Sequence, residues 1–296
     1  MEVAASLVGK ASSIHVVDRG HVPYQLVLGE QVGRVALKML QAQGVQFHLK
    51  AEVEELQGQD GKVWASFLLH GVGGMVEGSP APLAGGGATC SKEEGPGLHL
   101  RCSPLQVSRV VLAGGHQIPA DVVVVGIGVV PNTAFLQGSS IALDRSGAVL
   151  VDLFMQTSLP SVFAAGDVAS FPVALLGGEC APIRHWQIAQ AHGHVAAFNI
   201  LGRQKALHTV PFFWTRLQAK TIRYAGCGRG YTDTVLKGSL EQETFLLFYI
   251  RDGFVTAVAG LNVDPMVSLV AEVLDSGRSI SKEEAEAMER KALQKT

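Results

Sequence analysis

The pair Gly166-Asp167 has the residue types in this sequence that best suit the binding of a polar ligand. It follows residues 162–165, a short apolar run bounded by turn residues and rich in β-branched and aromatic side chains, which predicts a buried strand. Gly166 has no Cβ, so a ligand can approach its backbone closely, and Asp167 stands at the predicted carboxyl end of the strand, where open α/β sheets bind ligands. Its carboxylate could accept hydrogen bonds from sugar or ribityl hydroxyls. An ordinary turn after a strand explains the same pair without a ligand.

Asp18 is a second carboxylate at a predicted strand end. Apolar positions in residues 3–8 predict a short helix ending near residue 13, and residues 14–18 predict a strand. Helix, strand and terminal acid form the second half of a Rossmann unit, in which the acid binds ribose hydroxyls, although an exposed strand-end acid fits equally. The sequence contains no G-x-G-x-x-G, and the place for it would lie before Met1. We therefore expect the chain to lack the first strand and glycine-rich turn of this unit.

Two further positions could lie beside a flat ligand. Residues 121–127 form a near-continuous apolar stretch that predicts a fully buried strand, and Gly126 and Gly128 at its end would let a ring lie against the backbone. A tight crossover between domains explains these glycines equally well. His185 and Trp186 begin a predicted helix over residues 186–201, whose positive end favours an anionic or electron-rich group by about 0.3–1 kcal/mol.

The remaining patterns supply the elements that must position these residues. The glycine-rich stretch 71–104 has little apolar periodicity, which predicts a flexible surface insertion and leaves a binding loop as the alternative. An apolar stripe within residues 32–40 predicts a helix that stops at Gly44. Ser281 and Glu284 form a capping box for a terminal helix. Further predicted elements are strands at 45–49, 62–69, 107–112, 221–224, 244–250 and 255–262, a hairpin over 141–151, and an amphipathic helix over 266–274.

Composition excludes several classes of protein. A chain of 296 residues suits about two domains, and 47% hydrophobic residues with 17% charged ones indicate a well-buried globular protein. The 24 basic and 26 acidic residues nearly balance, which argues against nucleic acid as a partner. Four scattered cysteines without a CxxC pair predict neither a metal site nor a disulfide framework and suit a reducing compartment. We expect no transmembrane segment or signal peptide.

Several motifs together resemble one family. They are Leu143-Asp144, Gly147, Val151-Asp152, Thr157, Pro160, Val162-Phe163-Ala164-Ala165-Gly166-Asp167, His185-Trp186-Gln187, Val210-Pro211-Phe212-Phe213-Trp214-Thr215 and Arg223-Tyr224-Ala225-Gly226. The chain resembles the apoptosis-inducing-factor-like flavoproteins of the pyridine nucleotide–disulfide reductase superfamily, over nearly its whole length except the insertion. It is most similar to the branch that carries a Rieske-type iron–sulfur domain at its front.

The resemblance implies an α/β fold with incomplete Rossmann-type FAD- and NAD(P)-binding domains followed by an α+β C-terminal domain. It places the NAD(P)-binding domain at residues 1–130, the second part of the FAD-binding domain at 131–205, and the reductase C-terminal domain at 206–296. The N-terminal FAD-binding half of the family, with its own glycine-rich turn, is missing from this sequence. Because that turn supplies much of the dinucleotide affinity, we expect weak or no FAD binding by this chain alone.

The resemblance also implies roles for individual residues. Gly166 and Asp167 match the second FAD motif, and His185 and Trp186 match positions at the pyrimidine end of the flavin. Trp214 matches an aromatic residue beside the isoalloxazine, although a core tryptophan is the alternative. The remaining matches concern the nicotinamide nucleotide: Glu2 orients the carboxamide, Asp18 binds the ribose, and Gly126 and Gly128 lie beside the nicotinamide.

The function implied is hydride transfer from NAD(P)H to FAD, followed by electron release to an acceptor protein or small molecule. The family also implies an intracellular protein, cytoplasmic or mitochondrial, with a homodimer and a link to apoptosis as further expectations. The alternative is a truncated, non-enzymatic protein that binds a partner or senses NAD(P). The family is one of FAD-dependent NAD(P)H oxidoreductases, but we expect this chain alone to be weakly active or inactive.

Overall fold

A computed structural model describes residues 1–58 and 107–288. The predicted strand at 62–69 and the glycine-rich insertion at 71–104 lie outside these residues. The elements, in chain order, are α1 Glu2–Leu7, β1 His15–Asp18, α2 Gln25–Gln41, β2 Gln46–Leu49, β3 Val53–Gly58, β4 Val107–Leu112, β5 Gln117–Pro119, β6 Val149–Leu150, β7 Ala169–Pro172, β8 Cys180–Ala181, α3 Trp186–Ile200, β9 Phe212–Leu217, β10 Lys220–Gly226, β11 Asp233–Ser239, β12 Thr244–Arg251, β13 Phe254–Leu261, α4 Met266–Asp275 and α5 Lys282–Ala287.

The chain forms two compact units. The first consists of Met1–Val16, His21–Phe47 and Val130–Thr296, and the second of Val17–Gly20 and His48–Val129. Strands β1 and β2 pair with each other, and the division between the units passes through both. Within the described parts of the chain, no helix is both long and apolar enough to cross a membrane.

The first unit is built on a five-stranded antiparallel sheet with the order β11-β12-β13-β10-β9. Successive side chains of a strand point to opposite faces. Leu247 and Tyr249 of β12 therefore join the core formed with α1 and α2, whereas Leu246 and Phe248 join the core formed with α4. Because both faces are covered, β12 and β13 are apolar at nearly every position. The three predicted C-terminal strands are confirmed, but the edge strands β9 and β11 were missed, since polar residues interrupt their apolar patterns.

The helices follow their sequence signals closely. The predicted stripe lies within α2 and faces the core, and the capping box of α5 is present, with the Ser281 hydroxyl accepting from the Glu284 N–H. Predicted helices over 186–201 and 266–274 are confirmed as α3 and α4. The end of α1 near residue 13 was wrong. It ends at Leu7, because Val8 is extended and Gly9 takes the left-handed conformation, with φ of +74°.

A third core holds β6, β7, β8 and α3 together within the first unit. The turn of the predicted hairpin is present, with the Gly147 N–H donating to the Asp144 carbonyl. The buried strand predicted at 162–165 was wrong, because this segment is only partly buried and makes a single bridge, from Phe163 to Gln156. Its amides serve irregular turns instead. Gly166-Asp167 therefore precedes the regular strand β7 rather than following a strand.

The second unit contains the antiparallel sheet β3-β4-β5, with Val110, Leu112 and Ile118 at its core. The fully buried strand predicted at 121–127 was wrong. This stretch forms no strand, and its side chains are exposed, Val122 by 79% and Ile127 by 61%. A buried strand needs a neighbour on each side to bond its backbone groups, and no other strand of the described chain pairs with this one.

Candidate flavin cleft

A cleft of about 220 Å³ lies in the first unit between the start of α3 and β9. Its lining residues are His185, Trp186, Gln187, Phe213 and Trp214. Three residues singled out in the sequence, His185, Trp186 and Trp214, thus meet in one place. Trp186 is 78% exposed and Trp214 is 55% exposed, so neither is a core tryptophan. Two exposed indoles beside a cleft provide flat apolar surfaces against which an aromatic ring could stack.

His185 is the N-cap of α3 and packs its ring against Phe213, with centroids 4.9 Å apart and planes inclined by 67°. Burial lowers the pKa of His185, and the charge of Asp167 opposes this shift only in part. The ring is therefore neutral near pH 7. Its Nδ1 is buried and has no hydrogen-bond partner among the described residues. Gly166 and Asp167 do not line the cleft, and Asp167 is exposed.

The surroundings of the cleft fit a planar polar ligand such as flavin. The Nε of Arg184, next to His185, is also buried without a hydrogen-bond partner in the part of the chain that the structure describes. Buried polar atoms normally find partners, so the unpartnered Nδ1 of His185, a residue that lines the cleft, favours a ligand there. The first N–H groups of α3 have no partner within the helix and carry the positive end of its dipole.

The backbone of Gly166 is hydrogen-bonded to His192, a residue that was not predicted from the sequence. Its N–H donates to Nδ1 of His192, at 3.2 Å, and its φ of +84° lies in the left-handed region. His192 is fully buried and stands seven residues after His185, which is two turns along α3. The seven-residue spacing was the sequence signal that could have pointed to His192. It could not be used, because nothing in the sequence indicated that Gly166 lies beside α3.

Glu2 reaches β9 without lining the cleft. Its Oε1 accepts hydrogen bonds from the Thr215 hydroxyl at 2.9 Å and from the Arg216 N–H at 3.0 Å. Thr215 in turn lies 2.9 Å from the hydroxyl of Tyr24, which must be the donor because Thr215 gives its own proton to Glu2. Burial raises the pKa of Tyr24 to about 12, which keeps that proton in place. Thr215 shares its face of β9 with Phe213 of the cleft.

Of the residues expected at the nicotinamide nucleotide, Asp18, Gly126 and Gly128 lie in the second unit, whereas Glu2 belongs to the first. Asp18 ends β1, and its Oδ1 accepts from the Gly20 N–H at 2.7 Å, so one carboxylate oxygen stabilises its own turn. Gly126 and Gly128 belong to the exposed stretch, and within the described residues, chain neighbours aside, no atom stands within 4 Å of a Cβ built at either glycine. Gly128 has a φ of +85°. The structure therefore leaves open space beside both glycines.

Comparison with known proteins gives a consistent family. Profiles described as pyridine nucleotide-disulphide oxidoreductase match residues 1–72 and 93–193, and one described as reductase C-terminal matches residues 212–294. Apoptosis-inducing factor 3 of Homo sapiens is 41% identical over 97% of this chain and 40% of its own length. The ferredoxin–NAD(+) reductase component of the biphenyl dioxygenase system of Paraburkholderia xenovorans is 32% identical over 60% of this chain and 43% of that protein. The chain thus spans about two-fifths of these relatives.

Solved structures show the same fold. The covalent putidaredoxin reductase–putidaredoxin complex matches 99% of this chain and 61% of its counterpart, with a TM-score of 0.75 at 19% identity. The expected fold class, Rossmann-type α/β followed by a C-terminal sheet domain, is thereby confirmed. The chain belongs to the pyridine nucleotide-disulphide oxidoreductase family, and its relatives include apoptosis-inducing factor 3.

Proposed function

We propose that this chain is part of a flavin-dependent oxidoreductase that uses NAD(P)H as the hydride donor and FAD as the carrier of electrons to an acceptor. The observation that supports this most directly is the meeting of His185, Trp186 and Trp214 around one cleft at the start of α3. When bound, FAD supplies the chemistry by accepting hydride and releasing electrons, while protein residues bind and orient it.

The residues proposed to hold FAD are Gly166, Asp167, His185, Trp186 and Trp214. The two indoles offer surfaces for the ring, and the first turn of α3 stabilises negative charge through its dipole. His185 is neutral because burial lowers its pKa, so it can exchange a hydrogen bond at Nδ1 without adding a charge. Asp167 is exposed and free to accept bonds from ligand hydroxyls.

For the nicotinamide nucleotide we propose Asp18, Gly126 and Gly128 as binding residues, and Glu2 as the group that orients the reacting ring. Glu2 has one oxygen fixed by β9, which holds the carboxylate in one orientation and leaves Oε2 for a ligand. The open space around both glycines would admit a flat ring. These roles go with the proposed division into an NAD(P)-binding domain at 1–130, part of the FAD-binding domain at 131–205, and a C-terminal domain at 206–296.

The acceptor that we propose is of the ferredoxin kind, because several relatives are named as ferredoxin reductases. A cytoplasmic or mitochondrial location is also part of the proposal, supported by four scattered cysteines with no CxxC pair. A homodimer is proposed as well, from the family resemblance alone. The link to apoptosis rests on the name of one relative.

The experiment is a titration of the chain with FAD, followed by the fluorescence of the flavin itself, which all variants allow, and by dye reduction on addition of NADH. We expect weak binding, because the sequence has no G-x-G-x-x-G turn. The double variant Trp186→Ala/Trp214→Ala should bind FAD at least about tenfold more weakly, since base–aromatic stacking contributes about 1–3 kcal/mol per ring. Phe135→Ala, which removes another ring that is 80% exposed, is the matched control. Equal affinity in all three proteins would contradict the proposal and favour a partner-binding or NAD(P)-sensing protein.

A further inference from the structure

His192 lies directly behind the proposed cofactor turn. The Gly166 N–H donates to Nδ1 of His192 at 3.2 Å, and the Gly166 carbonyl accepts from the Ala169 N–H at 3.0 Å. Both backbone groups of Gly166 are therefore bonded. The imidazole meets the ring of Phe171 edge-on, with centroids 4.5 Å apart and planes inclined by 79°. One histidine side chain of α3 thus contacts both β7 and the turn that precedes β7.

The hydrogen bond fixes the protonation state of the imidazole. Nδ1 can accept from an amide only while it is unprotonated, so the ring is neutral and carries its proton on Nε2. Nε2 is buried without a hydrogen-bond partner among the residues described. Burial lowers the pKa of His192, which keeps this neutral form near pH 7.

The titratable groups around this contact are few. On α3 they are His185, whose ring faces Phe213, and His194, which is exposed and 2.9 Å from Lys205 Nζ. On the turn there is Asp167, whose charge acts on His185. Strand β7 contributes no titratable side chain. Protonation of His192 at Nδ1 would therefore place its N–H donor opposite the Gly166 N–H donor and break the hydrogen bond. Strand β7 has no carboxylate that could accept the new proton's hydrogen bond.

We propose that His192 is the positioning residue of the Gly166-Asp167 turn, which its neutral ring holds in place so that Asp167 projects toward the cofactor. This inference rests on the proposed function only for the role of Asp167. A second consequence follows from the sign of the pKa shift. The stabilising contribution is present above the ordinary histidine pKa of about 6.5 and is lost as the pH falls below it, because the unfolded chain then binds a proton that the folded site excludes.

The test is nuclear magnetic resonance of the full chain, following the Gly166 amide and the His192 ring nitrogens from pH 8 to pH 5. We follow the protection of the Gly166 amide, which is its exchange rate corrected for the intrinsic, base-catalysed exchange of an exposed amide at the same pH. His192→Leu removes the acceptor and should lower this protection about fivefold, since a hydrogen bond contributes about 1 kcal/mol. His192→Gln keeps an acceptor oxygen but cannot titrate, so it should retain the protection at every pH. His194→Gln is the matched control on the same helix and should behave as the original chain does.

Two results would overturn the inference: unchanged protection of the Gly166 amide in a folded His192→Leu chain, or a protection that still falls with pH in His192→Gln. If the Leu variant does not fold, the comparison of the Gln variant with the original chain still decides. Adding FAD separates this inference from the proposed function. A chain whose amides do not respond to FAD contradicts the function and leaves the His192 result standing. A response of the Asp167 amide to FAD that is equal in the original and Leu chains contradicts the positioning role.

Discussion

The hydroxyl of Thr215 is the centre of the one polar network that reaches Glu2. Tyr24 donates to Thr215, and Thr215 donates to Glu2, so each oxygen determines the orientation of the next. Thr215 is 5% exposed, which removes water as an alternative partner. Through Thr215, Tyr24 at the start of α2 therefore orients the Glu2 carboxylate, which is proposed to act on the nicotinamide.

Tyr24→Phe tests this network at the level of one atom. Losing the donor to Thr215 should lower the free energy of unfolding by about 1 kcal/mol, the usual contribution of an intramolecular hydrogen bond. Urea denaturation measures it. Tyr231→Phe is the control, because the structure gives the Tyr231 hydroxyl no hydrogen bond within its described residues. Equal losses in both variants would show that the Tyr24 hydroxyl contributes nothing specific.

Site residues that belong to a local motif could be predicted from the sequence. Those whose position depends on tertiary packing could not. His185 and Trp186 could be placed at a helix start because a run rich in small residues follows them and ends at a glycine stop, Gly202. The exposure of Trp214 could not be predicted, since its strand is an edge strand whose polar residues mask the pattern. His192 was missed because its partner, Gly166, is 26 residues away in sequence.

At the scale of elements, helix ends and strand pairs obey local rules to different degrees. The capping box of α5 involves only four consecutive residues, and the sequence therefore predicted it fully. Strands depend on neighbours that are distant in sequence. The apolar stretch 121–127 has the composition of a central strand, but composition cannot show whether partner strands flank it.

Ser281→Ala should lower the free energy of unfolding by about 1 kcal/mol, because it removes the oxygen that caps the Glu284 N–H. Thermal or urea unfolding would measure the change. Ser268→Ala in the exposed part of α4 is the matched control and should be neutral or slightly stabilising, since alanine favours helix interiors. A loss in the control as large as that in Ser281→Ala would contradict the capping role.

Gly226 is where the end of β10 comes closest to β13. Its φ is +94°, and a Cβ added there would stand 2.3 Å from the Thr256 carbonyl oxygen. Gly226→Ala should therefore destabilise the chain by about 3 kcal/mol or more, combining the left-handed penalty of about 1–2 kcal/mol with a backbone clash. Gly253→Ala, at a φ of +81° with open space around it, isolates the first of these costs. Similar losses in both variants would show that the clash is relieved without cost.

For the molecule as a whole, the most unusual surface is the exposed apolar stretch that runs through residues 122–130. Val122, Val124 and Val129 are each more than half exposed, as are Ile127 and Val130. Contiguous apolar surface of this kind is uncommon on soluble monomers and promotes association. The stretch has no charged residue and belongs to no strand of the described chain, so its backbone groups could also pair with other chains.

Replacing Val122 and Val124 with lysine should reduce the binding of a hydrophobic dye and slow aggregation on heating, without lowering the unfolding temperature. Neither side chain is buried, so their loss costs no core packing. Leu26→Lys is the control, because that side chain is 98% exposed but belongs to the first unit. Unchanged dye binding in the double variant would show that the apolar surface lies elsewhere.

Helices within the first forty residues cover one face of a sheet whose strands begin about two hundred residues later. Leu28, Val32 and Ala36 of α2 pack against Leu247 and Tyr249, so this face of the C-terminal sheet has its cover at the other end of the chain. A protease cut or splicing change that removed the helix would strip the sheet of that cover. The C-terminal module is matched by one continuous family profile, but it depends for its folding on a helix from the other end of the chain. Two fragments, one carrying the helix and one carrying the sheet, should therefore reassemble when mixed.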